Sequence, residues 1–462
     1  MDICGTISAQ DGGLLDLKHA KQKIIVAIFA VSVAVLLSGC LRITADELYS
    51  LPQVSEEYRK LQRHINAILN QGAEFSPPAS GPNRQAVQLE DLNGDGKNEV
   101  IAFFTIPSDS TLKVYIFERI DNDYAVAEII EGVGSEIDSV RYVDMDGDGI
   151  MEIVIGWKMG DTLKQMSIYS IKDFQSVVLA RTEYTGITVY DLNGNGNDDI
   201  IAFRLPTAET VAVAEVLTLM PDGEIVKAET RLSIGIEKIS RVLTGKLNDG
   251  IPAIFIESEG KYDKGVLVTD ICIYQNGGFT NISLRKPSGI SDENVREFMQ
   301  SSDINKDGII KVPAPRLLKA QSETAYYAID WYTFSSSGNS RLALTTYHNN
   351  TDEWFLIFPF NWREMVSVRR DDAVSGERTI IFSYITGNDR QYEDFLKIYR
   401  LTGDKAQERA ALPERVILLS EGNAIYAFEL LAPPNSFGLS YDEALIKANF
   451  RLIYTDWLAG TS

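Results

Sequence analysis

The stretch Asp144-Met-Asp146-Gly-Asp148-Gly-Ile150-Met-Glu152 is a short acidic loop that recurs along the chain. Its side-chain oxygens fall at positions 1, 3, 5 and 9, and glycines stand at positions 4 and 6. A hard cation such as Ca²⁺ takes about six to eight oxygen ligands, which alternate residues of a tight turn can provide. Glycine tolerates a positive φ, so the backbone can fold back around an ion. The stretch therefore predicts a calcium-binding turn.

Three other stretches repeat all or most of this pattern. They are Asp91-Leu-Asn93-Gly-Asp95-Gly-Lys97-Asn-Glu99, Asp191-Leu-Asn193-Gly-Asn195-Gly-Asn197-Asp-Asp199 and Asp303-Ile-Asn305-Lys-Asp307-Gly-Ile309-Ile-Lys311. In chain order we call the four stretches loop 1 (91–99), loop 2 (144–152), loop 3 (191–199) and loop 4 (303–311). Strand-like residues follow loops 1 to 3, so these are not EF-hands, which need flanking helices and a Glu at position 12. A single copy is equally compatible with an acidic turn without metal, but the recurrence favours metal binding.

The spacing of the loops predicts the architecture. Loops 1 to 3 begin at residues 91, 144 and 191, and loop 4 begins about two periods later at 303. A degenerate copy, Lys246-Leu-Asn-Asp-Gly250, fills the gap, and we expect no ion there because its first ligand is a lysine and it is one residue shorter. A period of about 50 residues with four short strands per unit is typical of propeller blades. We predict an all-β fold, a β-propeller over 85–462 with seven blades, six and eight being the alternatives.

The four loops resemble the FG-GAP/VCBS-type repeats of integrin-like β-propellers, in which such loops bind calcium. The resemblance covers 85–315 well and implies that position 7 contributes its backbone carbonyl. The implied ligands are Asp91, Asn93, Asp95, Lys97 and Glu99; Asp144, Asp146, Asp148, Ile150 and Glu152; Asp191, Asn193, Asn195, Asn197 and Asp199; and Asp303, Asn305, Asp307 and Ile309. Loop 4 departs from the pattern because Lys311 replaces the acid at position 9.

The N-terminal residues predict export and a lipid anchor. Three lysines precede an apolar run at 24–37, which is too short for an ordinary membrane-spanning helix and is typical of a signal peptide. The following Leu-Ser-Gly-Cys40 resembles the bacterial lipobox, which implies cleavage after residue 39 and lipidation of Cys40. The alternative is an uncleaved anchor, and both place the rest of the chain on the extracytoplasmic face of the cell membrane. Residues 1–16 fit a signal peptide poorly, so translation from Leu17 is a further hypothesis.

The remaining sequence predicts a tether at 40–52, a helix at 53–71 packed on the propeller, and a loop at 72–84. The formal charge is −21, from 44 basic and 65 acidic residues. Such acidity argues against nucleic-acid binding, which depends on neutralising phosphates. Cys272 lies in a strand-like stretch and is interpreted as a buried apolar residue.

An aromatic stretch follows loop 4 and leaves two interpretations open. Trp331, Trp354 and Trp362 either pack between sheets or form a stacking platform for sugar rings. His348 lies in a predicted turn, and no catalytic motif is present. We therefore predict a calcium-stabilised binding or scaffold module for a protein or glycan partner. The alternative is a carbohydrate-active hydrolase or lyase on the same fold.

Overall fold

The computed structural model describes residues 56–108, 110–121, 123–260, 266–284, 295–297, 299–319, 324–386 and 391–453. In these ranges the fold is nearly all-β, with six antiparallel sheets and only short helices, which confirms the predicted all-β class. The predicted signal peptide, Cys40 and the tether lie outside the described residues. Among the described helices, none combines the length and the apolar character needed to cross a membrane.

Sheets 1 to 3 take up the first half of the described chain. Sheet 1 contains β1 (Glu74–Phe75), β2 (Val87–Glu90), β3 (Glu99–Ile106), β4 (Thr111–Ile120) and β5 (Asp123–Glu131). Sheet 2 contains β6 (Glu136–Val143), β7 (Glu152–Lys158), β8 (Lys164–Ser170) and β9 (Val177–Glu183). Sheet 3 contains β10 (Gly186–Tyr190), β11 (Asp199–Arg204), β12 (Val213–Leu219) and β13 (Ile225–Arg231).

Sheets 4 to 6 follow in chain order. Sheet 4 contains β14 (Ile236–Lys246), β15 (Pro252–Gly260), β16 (Val266–Gln275), β17 (Gly278–Asn281) and β18 (Val295–Glu297). Sheet 5 contains β19 (Val312–Leu317), β20 (Tyr327–Phe334), β21 (Ser340–Asn349), β22 (Trp354–Phe358) and β28 (Phe450–Leu452). Sheet 6 contains β23 (Val366–Asp371), β24 (Glu377–Thr386), β25 (Gln391–Thr402), β26 (Val416–Glu421) and β27 (Ala424–Leu430).

In the described part of the chain the helices are few and short. They are α1 (Glu56–Leu69), α2 (Ala406–Ala410), α3 (Glu443–Asn449) and single 3-10 turns at Lys172–Phe174, Phe360–Trp362 and Ser436–Gly438. Helix α1 falls inside the predicted segment 53–71. Asp442 caps α3, because its Oδ1 accepts a hydrogen bond from the N–H of Leu445 at 2.7 Å.

Apolar clusters join each sheet to the next one along the chain. Ile101 and Phe103 of sheet 1 share a cluster with Ile155 and Trp157 of sheet 2. Similar clusters join sheets 2 and 3, sheets 3 and 4, sheets 4 and 5, and sheets 5 and 6. Strands β7 and β11 therefore have apolar neighbours on both faces, which explains their continuous apolar sequences.

Two details differ from the sequence predictions. The predicted loop 72–84 contains β1, which pairs with β3 in sheet 1. His348 lies within β21 and is half-buried, so the predicted turn at that position is wrong. The described residues form six sheets, and the blade count, with seven predicted and six and eight as alternatives, stays a prediction.

Candidate metal centre

The acidic loops 1 to 3 each connect two antiparallel strands that pair within one sheet. Loop 1 joins β2 to β3, loop 2 joins β6 to β7, and loop 3 joins β10 to β11. In each case the acid at position 9 is the first residue of the strand that follows the loop. This placement agrees with the strand–loop–strand arrangement that the sequence predicts.

The aspartate at position 1 accepts backbone hydrogen bonds from across its loop. In loop 2 the Asp144 carboxylate accepts from the N–H of Gly147 at 2.8 Å and of Gly149 at 3.1 Å. Both glycines have a positive φ, of 76° and 84°, which residues with a Cβ rarely adopt. The local sequence therefore turns the backbone tightly enough to bring alternate side chains to one side of the loop.

Side chains at positions 3 and 5 are oriented in the same way in loops 1 to 3. Their oxygens accept hydrogen bonds from the N–H two residues further on, at 2.8–3.2 Å. These pairs are Asn93–Asp95, Asp95–Lys97, Asp146–Asp148, Asp148–Ile150, Asn193–Asn195 and Asn195–Asn197. The residues predicted to contribute a position-7 carbonyl, Lys97, Ile150 and Asn197, thus lie directly beside the position-5 side chains.

The acid at position 9 connects the end of each loop to its beginning, because its carboxylate accepts a hydrogen bond from the backbone N–H at position 2. Glu99 accepts a hydrogen bond from the N–H of Leu92 at 2.9 Å, and Glu152 accepts one from Met145 at 3.1 Å. Asp199 does the same for Leu192 at 3.0 Å. All three acids are at most 4% exposed, so each is a buried carboxylate that needs compensation.

Loop 2 brings three carboxylates together. Asp144, Asp146 and Asp148 offer oxygens that lie within 4.8 Å of one another. Oxygens on opposite sides of a Ca²⁺ ion are about 5 Å apart, since each Ca–O distance is about 2.3–2.6 Å. The nearest basic group is the exposed side chain of Lys172, whose Nζ lies 4.0 Å from Asp148 Oδ2. The set of oxygens and its spacing therefore fit a calcium ion.

Loop 1 contains an unsatisfied ligand atom. Oδ1 of Asp91 is buried and has no hydrogen-bond partner, whereas Oδ2 accepts from the N–H of Gly96 at 2.9 Å. A buried carboxylate oxygen without a partner is unfavourable by about 1–3 kcal/mol or more. A cation held in the loop would satisfy this oxygen.

The electrostatics of the loops also favour a bound cation. Burial, together with the charges of Asp146, Asp148 and Asp144, raises the pKa of Glu152 to about 7. Burial likewise raises the pKa of Glu99, with the carboxylates of Asp95 and Asp91 adding to the shift. Accumulated negative charge around a buried acid is relieved when a divalent cation binds.

Loop 3 has weaker ligands, and two of its predicted ligands hydrogen-bond to each other. The Asn193 amide donates to Oδ1 of Asp199 at 3.0 Å, and Thr218 from β12 donates to the same oxygen. Thr218 could not be found from the loop pattern, because it lies in another strand of the sheet. With two amides in place of carboxylates, we expect loop 3 to attract calcium less than loop 2.

Loop 4 holds a cation of its own. Nζ of Lys311 lies 2.6 Å from Asp307 Oδ1, 2.8 Å from the carbonyl of Ile309 and 3.5 Å from Asp303 Oδ1. The Lys311 side chain is 1% exposed. Its ammonium group therefore contacts oxygens that the sequence assigned to a metal. This geometry argues against calcium at Asp303, Asn305, Asp307 and Ile309, whose assignment as ligands stays a prediction.

The degenerate copy forms a tight turn in place of an acidic loop. The N–H of Gly250 donates to the carbonyl of Leu247 at 3.0 Å between β14 and β15. The Asp249 carboxylate accepts hydrogen bonds from the N–H and the hydroxyl of Ser336, both at 2.8 Å. This carboxylate therefore serves a contact with sheet 5, which is compatible with the expectation that no ion binds there.

Neighbouring loops touch through their glycines. A Cβ at Gly94 would lie 2.6 Å from the carbonyl oxygen of Gly149, and one at Gly147 would lie 2.5 Å from Asn197 Oδ1. The backbone N–H of Met151 also donates to the carbonyl of Leu92 at 2.9 Å. Loops 1, 2 and 3 therefore form one continuous row.

The three tryptophans proposed as a stacking platform belong to the core. Trp331, Trp354 and Trp362 are at most 1% exposed, so none offers a ring face to a ligand. The Trp331 indole donates to Thr346 Oγ1 at 2.8 Å, and the Trp362 indole donates to the carbonyl of Ser440 at 2.9 Å. The packing interpretation is therefore correct for these residues, and the stacking interpretation is wrong.

Comparison with known protein families supports the repeat in one part of the chain. No curated protein has a significant match to it. The crystal structure of Saccharomyces cerevisiae Sqt1 matches 75% of this chain and 95% of its own, with 10% identity. Its TM-score is 0.24, so this similarity carries no argument. A family model described as FG-GAP-like repeat matches residues 91–155, which contain loops 1 and 2. Residues 91–155 are thus similar to an FG-GAP-like repeat.

Proposed function

We propose that this chain is a membrane-anchored extracytoplasmic lipoprotein whose calcium-stabilised β-propeller is a binding or scaffold module for a protein or glycan partner. The observation that carries the proposal is the cluster of Asp144, Asp146 and Asp148, whose oxygens lie within 4.8 Å of one another. The unsatisfied Oδ1 of Asp91 supports a second ion in loop 1. Loop 4 is excluded, because Lys311 already provides a cation.

The propeller interpretation rests on the order of the sheets. Each sheet shares an apolar cluster with the next one along the chain, as consecutive blades do around a common axis. Six sheets favour six blades over the seven that the sequence predicts. In this arrangement loops 1 to 3 lie on one rim, and calcium stabilises the turn between two paired strands in each of three blades.

Calcium binding is tested by titrating the chain in nonionic detergent after chelation. We expect binding of up to three ions, with the tightest site lost in Asp144→Ala. Asp372→Ala, which removes an exposed carboxylate outside the loops, is the matched control and leaves the stoichiometry unchanged. Absence of calcium binding to the wild-type chain contradicts the proposal.

The lipid anchor and the partner require separate experiments. A fatty-acid probe should label the wild-type chain in cells and should not label Cys40→Ser; equal labelling of both contradicts the anchor. A cross-linking pull-down from the cell surface, with and without calcium, should recover a partner that depends on calcium. If Asp144→Ala recovers the same partner equally well in calcium, the propeller rim does not support binding.

The enzyme alternative has a distinguishing structural requirement. Glycoside hydrolysis usually needs two carboxyl groups about 5–10 Å apart in one site. A cavity between sheets 2, 3 and 4 has a single carboxylate, Asp138, among its lining residues. Asp138 is bound by Tyr184 at 2.6 Å and by Lys164 at 2.7 Å. We therefore favour the binding module.

A further inference from the structure

A cavity of about 640 Å³ lies where the first strands of sheets 2, 3 and 4 approach one another. Residues of β6, β10 and β14 line it, and the loop residues Ser80 and Gly81 reach its edge. Its apolar wall includes Ile187, Phe203 and Leu205. This size lies within the range of about 300–1,000 Å³ that is usual for small-molecule sites.

The charges around the cavity are opposite in sign to those of the whole chain. Its lining residues include four basic side chains, Arg141, Lys164, Lys238 and Arg241, but only one acid, Asp138. The chain as a whole has a formal charge of −21. A basic cavity in so acidic a protein concentrates anions locally, because its low-dielectric walls focus the field.

Three of the four basic groups have an acidic neighbour. Lys164 Nζ lies 2.7 Å from Asp138 Oδ1, and Lys238 Nζ lies 3.7 Å from Glu259 Oε1. Burial lowers the pKa of Arg241, while the charge of the buried Glu257 acts against this shift, and Arg241 Nη1 donates to Gln300 Oε1 at 3.0 Å. Each of these three basic groups therefore has a carboxylate of the protein nearby.

Arg141 is the exception. Its guanidinium forms no ion pair with any described residue, and its closest hydrogen bond is a long one of 3.5 Å to the carbonyl of Ile187. Its Nε is buried without a partner. Burial lowers the pKa of Arg141, yet an arginine stays protonated in proteins, so the cavity wall contains an uncompensated positive charge. Such a charge is unfavourable unless an anion neutralises it.

We propose that this cavity binds a small organic monocarboxylate, which Arg141 holds through its guanidinium while the apolar wall receives the carbon skeleton. A carboxylate matches the planar fork of a guanidinium and accepts two parallel hydrogen bonds from it. One uncompensated cation calls for one negative charge, whereas a phosphate dianion would require a second. This site is independent of the calcium loops.

The test measures binding of acetate, hexanoate and phenylacetate to the full chain in nonionic detergent by calorimetry. Each acid is compared with its neutral amide and with inorganic phosphate, at constant ionic strength set with sodium chloride. We expect at least one acid to bind at a single site, more tightly than its amide and than phosphate. Failure of all three acids to exceed their amides, or tighter binding of phosphate, overturns the proposal.

The decisive variant is Arg141→Gln, which keeps a polar side chain but removes the charge. We expect it to weaken binding of the acid by about tenfold or more, since hydrogen bonds to charged groups contribute about 1.5–3 kcal/mol. Arg231→Gln, an exposed arginine of β13 outside the cavity, is the matched control and should bind normally. Equal binding by the wild-type chain and Arg141→Gln contradicts the role of Arg141.

A second variant keeps the proposal testable if Arg141→Gln folds poorly. Gly186 lines the cavity, and a Cβ built there meets only Phe203 Cδ2, at 3.8 Å. Gly186→Val is therefore sterically allowed in β10, where a β-branched residue also favours the strand. We expect it to reduce the cavity and weaken hexanoate and phenylacetate more than acetate. Unchanged binding of the two larger acids would place them elsewhere and overturn the proposal.

Discussion

The two halves of the described chain compensate buried carboxylates in different ways. In sheets 1 to 3 the buried acids Glu99 and Glu152 lie beside further carboxylates, and burial raises the pKa of both. In sheets 5 and 6 the buried acids are paired with arginines: Arg363 Nη2 and Arg378 Nη1 each lie 2.6 Å from an oxygen of Asp330 and Asp352, respectively. The first half leaves room for a removable ion, whereas the second half carries its counter-charges on the chain.

Loop 4 lies between these halves and combines both solutions. Its backbone turn is that of the acidic loops, since Asp303 accepts from the N–H of Asp307 and of Gly308 at 3.0 and 2.7 Å. Its cation is a side chain, Lys311. Burial acts to raise the pKa of Asp307, but the hydrogen bonds from Lys311 and Asn305 outweigh it and leave the pKa lowered. The comparison indicates that the residue at position 9, an acid in loops 1 to 3 and Lys311 in loop 4, decides whether such a loop needs a bound ion.

Calcium removal should have the largest effect and should act on one half only. Each bound ion stabilises the fold by about 1.4–2.7 kcal/mol when calcium exceeds its dissociation constant roughly ten- to hundredfold. Three ions thus contribute about 4–8 kcal/mol. Hydrogen exchange in calcium and in chelator should show faster exchange of amides in β3, β7 and β11. Equal acceleration in β20 and β24 would show that the halves do not differ.

Asp330→Ala should cause the next largest loss of stability, and this loss should not depend on calcium. Burial acts to raise the pKa of Asp330, but hydrogen bonds from Arg363, Thr345 and Arg316 outweigh it and keep the pKa low. Breaking such a pair typically destabilises by about 3–5 kcal/mol. Denaturant unfolding should give the same loss with calcium and with chelator. The exposed pair of Arg370 and Asp372 is the control, where Asp372→Ala should change stability by less than about 1 kcal/mol.

Lys311→Glu should make loop 4 depend on a bound ion, as we propose for loops 1 to 3, in place of a counter-charge from its own side chain. The change replaces the buried ammonium with an acid at position 9, beside Asp303 and Asp307. We expect a loss of about 3 kcal/mol in chelator, because the carboxylates are left without a counter-charge. Calcium should restore part of this loss and add one ion to the measured stoichiometry. Lys311→Met is the control, which should lose stability without gaining a calcium response.

Asp144→Ala and Asp303→Ala change position 1 in loop 2, which we propose binds calcium, and in loop 4, which contains Lys311. In calcium, Asp144→Ala should lower the free energy of unfolding by about 1.4–2.7 kcal/mol, the contribution of one ion. Its effect should shrink in chelator, since no ion is then lost. Asp303→Ala should have the same effect in both conditions, because Lys311 is always present. Thermal unfolding measures both, and a calcium-dependent effect of Asp303→Ala would contradict the assignment of Lys311.

His348 should affect stability only on the acid side and should have no effect at neutral pH. Burial lowers its pKa to about 3, below the ordinary value of 6.5, and its ring stacks on Phe355 with centroids 5.0 Å apart. A lowered pKa means that the neutral form is favoured in the folded state. The resulting stability is present above pH 6.5 and is lost as the pH falls towards 3, by about 1.4 kcal/mol per pH unit. His348→Gln should flatten this decline between pH 6.5 and 5, and an unchanged slope would show that His348 is not responsible.

The sequence by itself determined the all-β class and the strand–loop–strand position of the acidic loops. These features are local, because the ligands of a loop lie within nine residues and the positive φ of Gly147 and Gly149 follows from residue type. The period of about 50 residues followed from the same loops. Residues after loop 4 lack the motif, so the sequence had no marker by which to count the last sheets.

Only the tertiary structure decided which charges and aromatic rings are compensated or buried. Alternating aromatic residues are expected both in a core strand and in an exposed platform, so burial of Trp331, Trp354 and Trp362 depended on packing between sheets. Arg363 and Asp330 are 33 residues apart and meet only when β20 packs beside the turn before β23. The position of Arg141 in a cavity could likewise not be read from the sequence, since residues of three sheets must come together to form that cavity. Long-range contacts of this kind are set by the shape of the packed core, which no local pattern encodes.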